Sequence, residues 1–195
     1  MADRTVGGEY ENYITPEQTV PPDPLEVPWE SCVSLGSGFS YRYDDQYKRP
    51  REIVHLLLDI LCKGGNLALN LAPQPDGRLP APGVATLRAL GAWLRVNGGG
   101  VYGTRPCAPY RTNDVALTRK GNTVYAFRLL REGERLGLAA ELPVEGRIHA
   151  ITLLGYGPVS YAQRGSGTAV DLPQDWSLPA DCPALCFACE MEEEK

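Results

Sequence analysis

The chain has 195 residues, 43% of them hydrophobic and 22% charged, with 24 acidic against 19 basic side chains for a formal net charge of -5. This composition suits a folded chain with room for one full domain or two small ones, and it excludes a disordered one. The basic residues are scattered instead of gathered into a stripe, and no apolar run reaches the ~20 residues that span a bilayer, so neither nucleic acid nor membrane is expected as a partner.

The opening MADRTVGGEYENY has neither the basic nor the apolar stretch of a secretory leader. Residues 1 to about 50 are rich in Pro, Gly and Tyr without a sustained period, which predicts long loops with short ordered pieces. From Arg51, Ile53, Val54, Leu57, Ile60 and Leu61 recur at helical spacing, with Pro50 ahead and Gly64-Gly65 behind as a stop. In NLALNLAP, Leu67, Leu69 and Leu71 alternate with Asn66, Ala68 and Asn70, which predicts a short strand before a Pro-Asp-Gly turn. A second helix follows from about Gly83 to Val96, with Val84, Leu87, Leu90, Trp93 and Leu94 on one stripe and Asn97-Gly98-Gly99-Gly100 ending it.

Beyond Pro106 the texture changes to short alternating runs, DVALTRKGNTVYAFRLL, GLAAEL, RIHAITLLGYG, VSYAQ, TAVDLP and ALCFACEM, with Lys120-Gly121-Asn122 as a hairpin turn. The expected fold class is therefore α/β plus all-β. Two helices and one strand cannot bury both faces of a parallel sheet. Residues 1–105 then read as the C-terminal portion of a (β/α)8-like barrel, followed by a β-sandwich over residues 106–195.

Six cysteines, Cys32, Cys62, Cys107, Cys182, Cys186 and Cys189, are too few and too irregular for a disulfide scaffold. On a strand Cys186 and Cys189 point to opposite faces, and no His stands near to complete a zinc site, so buried free thiols are expected and no metal. His55 lies in an apolar helix and His149 in a strand, each without a nucleophile elbow or a second ligand beside it, which predicts structural roles.

Several motifs occur in one order across residues 1 to about 105: Trp29-Glu30, Phe39-Ser40-Tyr41, Gly64-Gly65-Asn66, Leu69-Asn70, Asp76-Gly77, Gly91-Ala92-Trp93-Leu94, Asn97-Gly98 and Val101-Tyr102-Gly103. In that order they resemble the distal half of the catalytic domain of the α-L-fucosidases, which are retaining glycoside hydrolases. The sandwich resembles that family more faintly, through LTRKGNTVYAF and its place after the barrel.

The resemblance implies hydrolysis of terminal α-L-fucosyl linkages on a fucosylated glycan substrate, with no cofactor. Such chemistry needs two carboxyl groups flanking the glycosidic bond, one a nucleophile and one a proton donor. Glu17, in NYITPEQ, is similar in context to the family's Thr-x-Glu acid/base loop and is expected to be the catalytic acid/base. Arg4 resembles an arginine that reaches into the same pocket, and Phe39 an aromatic of the sugar pocket that suits the C5 methyl of fucose; Phe39 could equally plug its loop into the core. Ser40 stands where the family has Gly. Trp29 and Glu30 are expected to be structural, a wedge and a carboxylate satisfying backbone donors.

No counterpart of the nucleophilic Asp or of the fucose-holding histidines is present, so the chain alone is expected to be inactive. The resemblance places the complete enzyme in a secreted, periplasmic or lysosomal setting. The other reading of the residues is a non-catalytic, carbohydrate-binding or structural sandwich module, and nothing in the sequence sets the oligomeric state.

Overall fold

The structure, a computed structural model, describes residues 2–3, 12–112, 114–134, 136–165, 167–176, 178 and 181–192. The chain divides into two compact units, Met1–Trp93 and Leu94–Lys195, the division falling inside the second helix. The sheet-rich fold has only two α-helices among the described residues.

The first unit is built on β1 (Ala2–Asp3), β2 (Tyr13–Ile14), β3 (Trp29–Ser34) and β4 (Gly65–Asn70), all parallel and in that spatial order. Between β3 and β4 runs α1 (Pro50–Cys62), and after β4 comes α2 (Ala81–Asn97). Pro50 at the first turn presets a helical φ, and the Glu52 carboxylate accepts the Arg49 backbone N–H at 2.8 Å, satisfying one donor at the helix start. Of the predicted stripe Ile53, Val54, Leu57 and Ile60 are buried while Leu61 is half-buried, and Leu58 and Cys62 join the buried face. The helix α2 starts at Ala81, two residues ahead of the expected Gly83, with Pro82 in its first turn.

Residues 12–49 are largely loop, as expected, but they also hold the six-residue strand Trp29–Ser34, in register with Gly65–Asn70, which was not expected. Its inward residues are Trp29, Ser31 and Val33, and a buried Ser whose hydroxyl donates to the Thr19 carbonyl breaks the apolar alternation that would have announced a strand. Trp29 is fully buried, donates its indole N–H to the Lys63 carbonyl, and lies against Gly65, where an added Cβ would stand 2.4 Å from the ring. Glu30 is hydrogen-bonded to the Tyr13 hydroxyl, where backbone donors were expected as its partners.

The second unit opens with a 3-10 turn at Gly98–Gly100 and continues through β5 (Arg105–Thr112), β6 (Val115–Lys120), β7 (Thr123–Leu129), β8 (Ala139–Leu142), β9 (Ile148–Leu153), β10 (Gly157–Pro158), β11 (Tyr161–Arg164), β12 (Gly167–Asp171) and β13 (Ala184–Met191). A six-stranded antiparallel sheet, β10-β9-β13-β7-β6-β5, faces a three-stranded one, β11-β12-β8. Leu117, Val124, Ile151 and Phe187 of the larger sheet share one buried core with Ala140, Leu142 and Val170 of the smaller, which makes the unit a two-sheet sandwich. The predicted turn is the two-residue Gly121-Asn122 link between Lys120 and its partner Thr123, and Gly121 takes φ 55.

Cys186 and Cys189 occupy opposite faces of β13, both buried and free. Burial pushes the Cys189 thiol up to about 12 and raises Cys186 well above its ordinary range.

Candidate functional site

The parallel sheet positions the predicted acid. Past β2 the chain keeps running beside β3: Ile14 N–H donates to the Pro28 carbonyl (3.0 Å), Cys32 N–H to Pro16 (3.0 Å), and Gln18 N–H to Cys32 (2.9 Å). Glu17 thereby makes a parallel bridge with Cys32, which is itself in register with Ala68. Gln18, held at φ 55, locks this segment to the end of β3: its Oε1 accepts the Ser34 N–H at 3.1 Å and its Nε2 donates to the Ser34 hydroxyl at 2.9 Å.

The two faces of this sheet differ. In-register residues of a parallel sheet share a face, and successive residues alternate. Trp29, Ser31 and Val33 are all buried, whereas on the other face Glu30 and Cys32 are half-buried and Ser34 alone is buried; along β4 Asn66 is exposed and Leu67 to Asn70 are half-buried. The register puts Glu17, which is exposed, in the row of Cys32 and Ala68 on the more open, polar face. On the same face burial, and next the nearby Glu30 carboxylate, push the Tyr13 phenol up.

Phe39 sits in the loop that leaves the C-terminal end of β3. It is 38% exposed, so it does not plug the core, and its carbonyl accepts the Asn70 side-chain amide from the end of β4 (3.4 Å). The loop is internally organised. Asp45 accepts the Ser37 and Gln46 backbone N–H groups, both at 2.9 Å, and the hydrogen bonds from Ser37 hold its carboxyl below the usual carboxylate range. Gly36 lies so close that an added Cβ would stand 2.1 Å from an Asp45 carboxylate oxygen. The Lys48 ammonium donates to the carbonyls of Ser34 (2.6 Å) and Gly36 (3.3 Å). Tyr43 projects from this loop almost fully exposed (95%).

Glu17 and Phe39 therefore both follow the C-terminal ends of neighbouring parallel strands, where open α/β sheets and barrels carry their sites. Arg4 lies outside the described residues. Sequence reasoning missed the residues that hold the geometry, Gln18, Ser34, Asp45, Lys48 and Asn70, because single side-chain-to-backbone bonds leave no periodic trace.

His55 is half-buried on α1 and His149 exposed on β9, and among the described residues no three His, Cys, Asp or Glu come close enough to hold a metal. No described helix is long and apolar enough to cross a membrane. A cavity of about 1080 Å³ opens in the second unit, lined by residues from Cys107 to Glu192 and by neither Glu17 nor Phe39.

The family model for alpha-L-fucosidase matches residues 1–99. The alpha-L-fucosidase of Branchiostoma floridae is 30% identical over 165 residues, covering 79% of this chain and 36% of that protein. The tissue alpha-L-fucosidase of Homo sapiens is 31% identical over 169 residues, covering 82% and 35%. Among solved structures, alpha-L-fucosidase isoenzyme 1 from Paenibacillus thiaminolyticus superposes with a TM-score of 0.80 at 29% identity, covering 93% of this chain and 45% of that one. The Thermotoga maritima alpha-fucosidase in complex with fucose gives 0.80 at 26% identity, covering 96% and 44%. The chain spans about a third of the length of the curated relatives it matches. With half its length matched by one family model, and with relatives and structural neighbours of the same kind, the chain belongs to the alpha-L-fucosidase family.

Proposed function

We propose that this chain is the C-terminal part of a retaining α-L-fucosidase and that Glu17 is its general acid/base. Residues 1–105 are the last strands and helices of a (β/α)8-like barrel, and residues 106–195 form its C-terminal sandwich, with the 3-10 turn before them docked on that sandwich through Thr118 and Gly100. The observation that carries the reading is the placement of Glu17: exposed, just beyond a parallel strand, and fixed by backbone bonds on both sides.

A backbone so held presents the carboxyl to a glycosidic oxygen without the segment first having to order. Protonated Glu17 gives its proton to the leaving oxygen while the bond to the anomeric carbon breaks and a carboxylate elsewhere in the complete enzyme takes that carbon as an ester. Glu17, now ionised, then removes a proton from the water that displaces the ester, which restores both carboxyl groups and retains the configuration. The Phe39 ring packs on the C5 methyl of the fucosyl group, and Arg4 supplies a fixed positive charge to the same pocket. The substrate is a fucosylated glycan, and the complete enzyme works in a secreted, periplasmic or lysosomal setting.

Proton donation matters most when the leaving group is a poor one. In the complete enzyme Glu17→Ala is expected to lower kcat/KM on a fucosylated glycan by a factor on the order of 10²–10⁴ while sparing an activated aryl fucoside. Equal losses on both substrates would remove Glu17 from the role.

A further inference from the structure

The two sheets of the sandwich do not match in width. Strands lie about 4.8 Å apart, so three strands cover only about half the span of six. The part of the larger sheet left uncovered borders the cavity of about 1080 Å³, whose other wall is the segment 143–147 that follows β8. Leu117, Val124 and Val144 are buried core residues at its floor, beside the half-buried Met191.

Along β6 the alternation of the buried Val115 and Leu117 continues to Arg119, which is exposed at the strand end and lines the cavity. Arg119 donates its Nε–H to the Gly121 carbonyl at 2.9 Å, which fixes the plane of the guanidinium, and it makes no ion pair among the described residues. Its terminal N–H groups stay available. Glu145, across the cavity, has neither a hydrogen bond nor an ion pair among the described residues. Asn122 uses its amide N–H on the Met191 carbonyl (3.3 Å) and keeps an acceptor oxygen. Arg147 pairs with Glu192 at 3.6 Å.

Two arginines and two glutamates cancel, which favours a neutral ligand over an anion or a cation. Donors and acceptors alternate around an aliphatic floor, the pattern that hydroxyl groups on a ring with apolar C–H faces satisfy, since each hydroxyl both gives and takes a hydrogen bond. An extended peptide would need an open strand ladder instead. The nearby edge strand β5 offers none, because its register shifts between Pro106 and Arg111 and Pro106 and Pro109 have no N–H.

We propose that this open end of the sandwich binds a neutral oligosaccharide, with Arg119 and Glu145 holding ring hydroxyls over the floor of Leu117, Val124 and Met191. The cavity lies at the upper end of the small-molecule range and suits several sugar units. The site stands on its own chemistry; only the choice of a fucosylated probe rests on the proposed glycosidase reading.

The test is residue-resolved amide NMR of the 195-residue chain titrated with a fucosylated lactose trisaccharide. Saturable shifts are expected at Leu117, Arg119, Val124, Val144 and Gly146. Both Arg119→Gln and Glu145→Gln, each with a dispersed spectrum that reports an intact fold, are expected to weaken binding about tenfold. No saturable shift in the millimolar range, shifts that both variants leave unchanged, or the same shifts from trialanine would each overturn the proposal. Shifts near Glu17 and Phe39 are read separately, so failure here and failure of the glycosidase reading are distinct results.

Discussion

In the sandwich β13 is hydrogen-bonded on both sides, to β7 and β9, and five of its eight residues are buried; in the parallel unit β4 is bonded, among the described residues, on one side only, to β3, and one of its six residues is buried. The sandwich thus closes its own core, joining two inner faces through Phe187, Leu142 and Val170. The parallel sheet buries the Trp29–Ser31–Val33 face and leaves the other polar and half open. Parallel sheets are ordinarily covered on both faces. The contrast locates the chemistry: where packing is complete the side chains are inert, as with the two thiols of β13, and where it is incomplete carboxyl, amide and phenol groups collect.

The largest effect expected on stability is in the closed region. Phe187→Ala removes a fully buried ring at the middle of the sandwich core and is expected to cost about 3–5 kcal/mol, read as a lower denaturant midpoint at unchanged slope. A loss under about 1 kcal/mol would mean that the sandwich core is not closed as described.

A smaller loss is expected in the parallel unit from Gly65→Ala, because the new methyl meets the Trp29 ring with no space to share. Overpacking of this kind costs about 1–3 kcal/mol. Hydrogen exchange at Trp29 and Ser31 should speed up with it, and unchanged protection there would mean that β3 and β4 can part without strain.

The smallest expected effect sharpens the claim of inertness. Cys189 keeps its proton up to about 12 in the folded chain, against an ordinary value of 9.0. Below 9.0 both states hold the proton and its full contribution to stability is present; between 9.0 and about 12 the unfolded chain ionises first, so stability falls as pH rises. Cys189→Ala should make that alkaline fall shallower, as followed by thermal melts across the range. An identical slope in the variant would show the thiol to be accessible.

What was legible in the sequence follows the same division. The period of α1 was plain because it has one buried face, the hairpin β6–β7 was marked by its Gly121-Asn122 turn, and the split of Cys186 from Cys189 followed from alternation alone. The strand β3 was missed because Ser31 and Ser34 are buried within it, satisfied by a carbonyl and by Gln18, and polar residues inside a buried strand erase the alternation. Glu17 was singled out by likeness of context and by no property of its own. The scaffold around it, Gln18 in a left-handed conformation, Asp45 and Lys48, acts through backbone bonds that composition does not encode. Arg119 was visible in principle, as the charged residue that follows Val115 and Leu117 at alternate positions, once the register of β6 was known.

The proposed role of Glu17 as proton donor is tested most directly by the pH dependence of kcat/KM on a glycan substrate for the complete enzyme and for its Glu17→Gln variant. A general acid imposes an alkaline limb, since activity falls as the carboxyl ionises. The wild type should show that limb and the variant, at much lower activity, should lack it. The same limb in both proteins would contradict the account and place the acid on another residue.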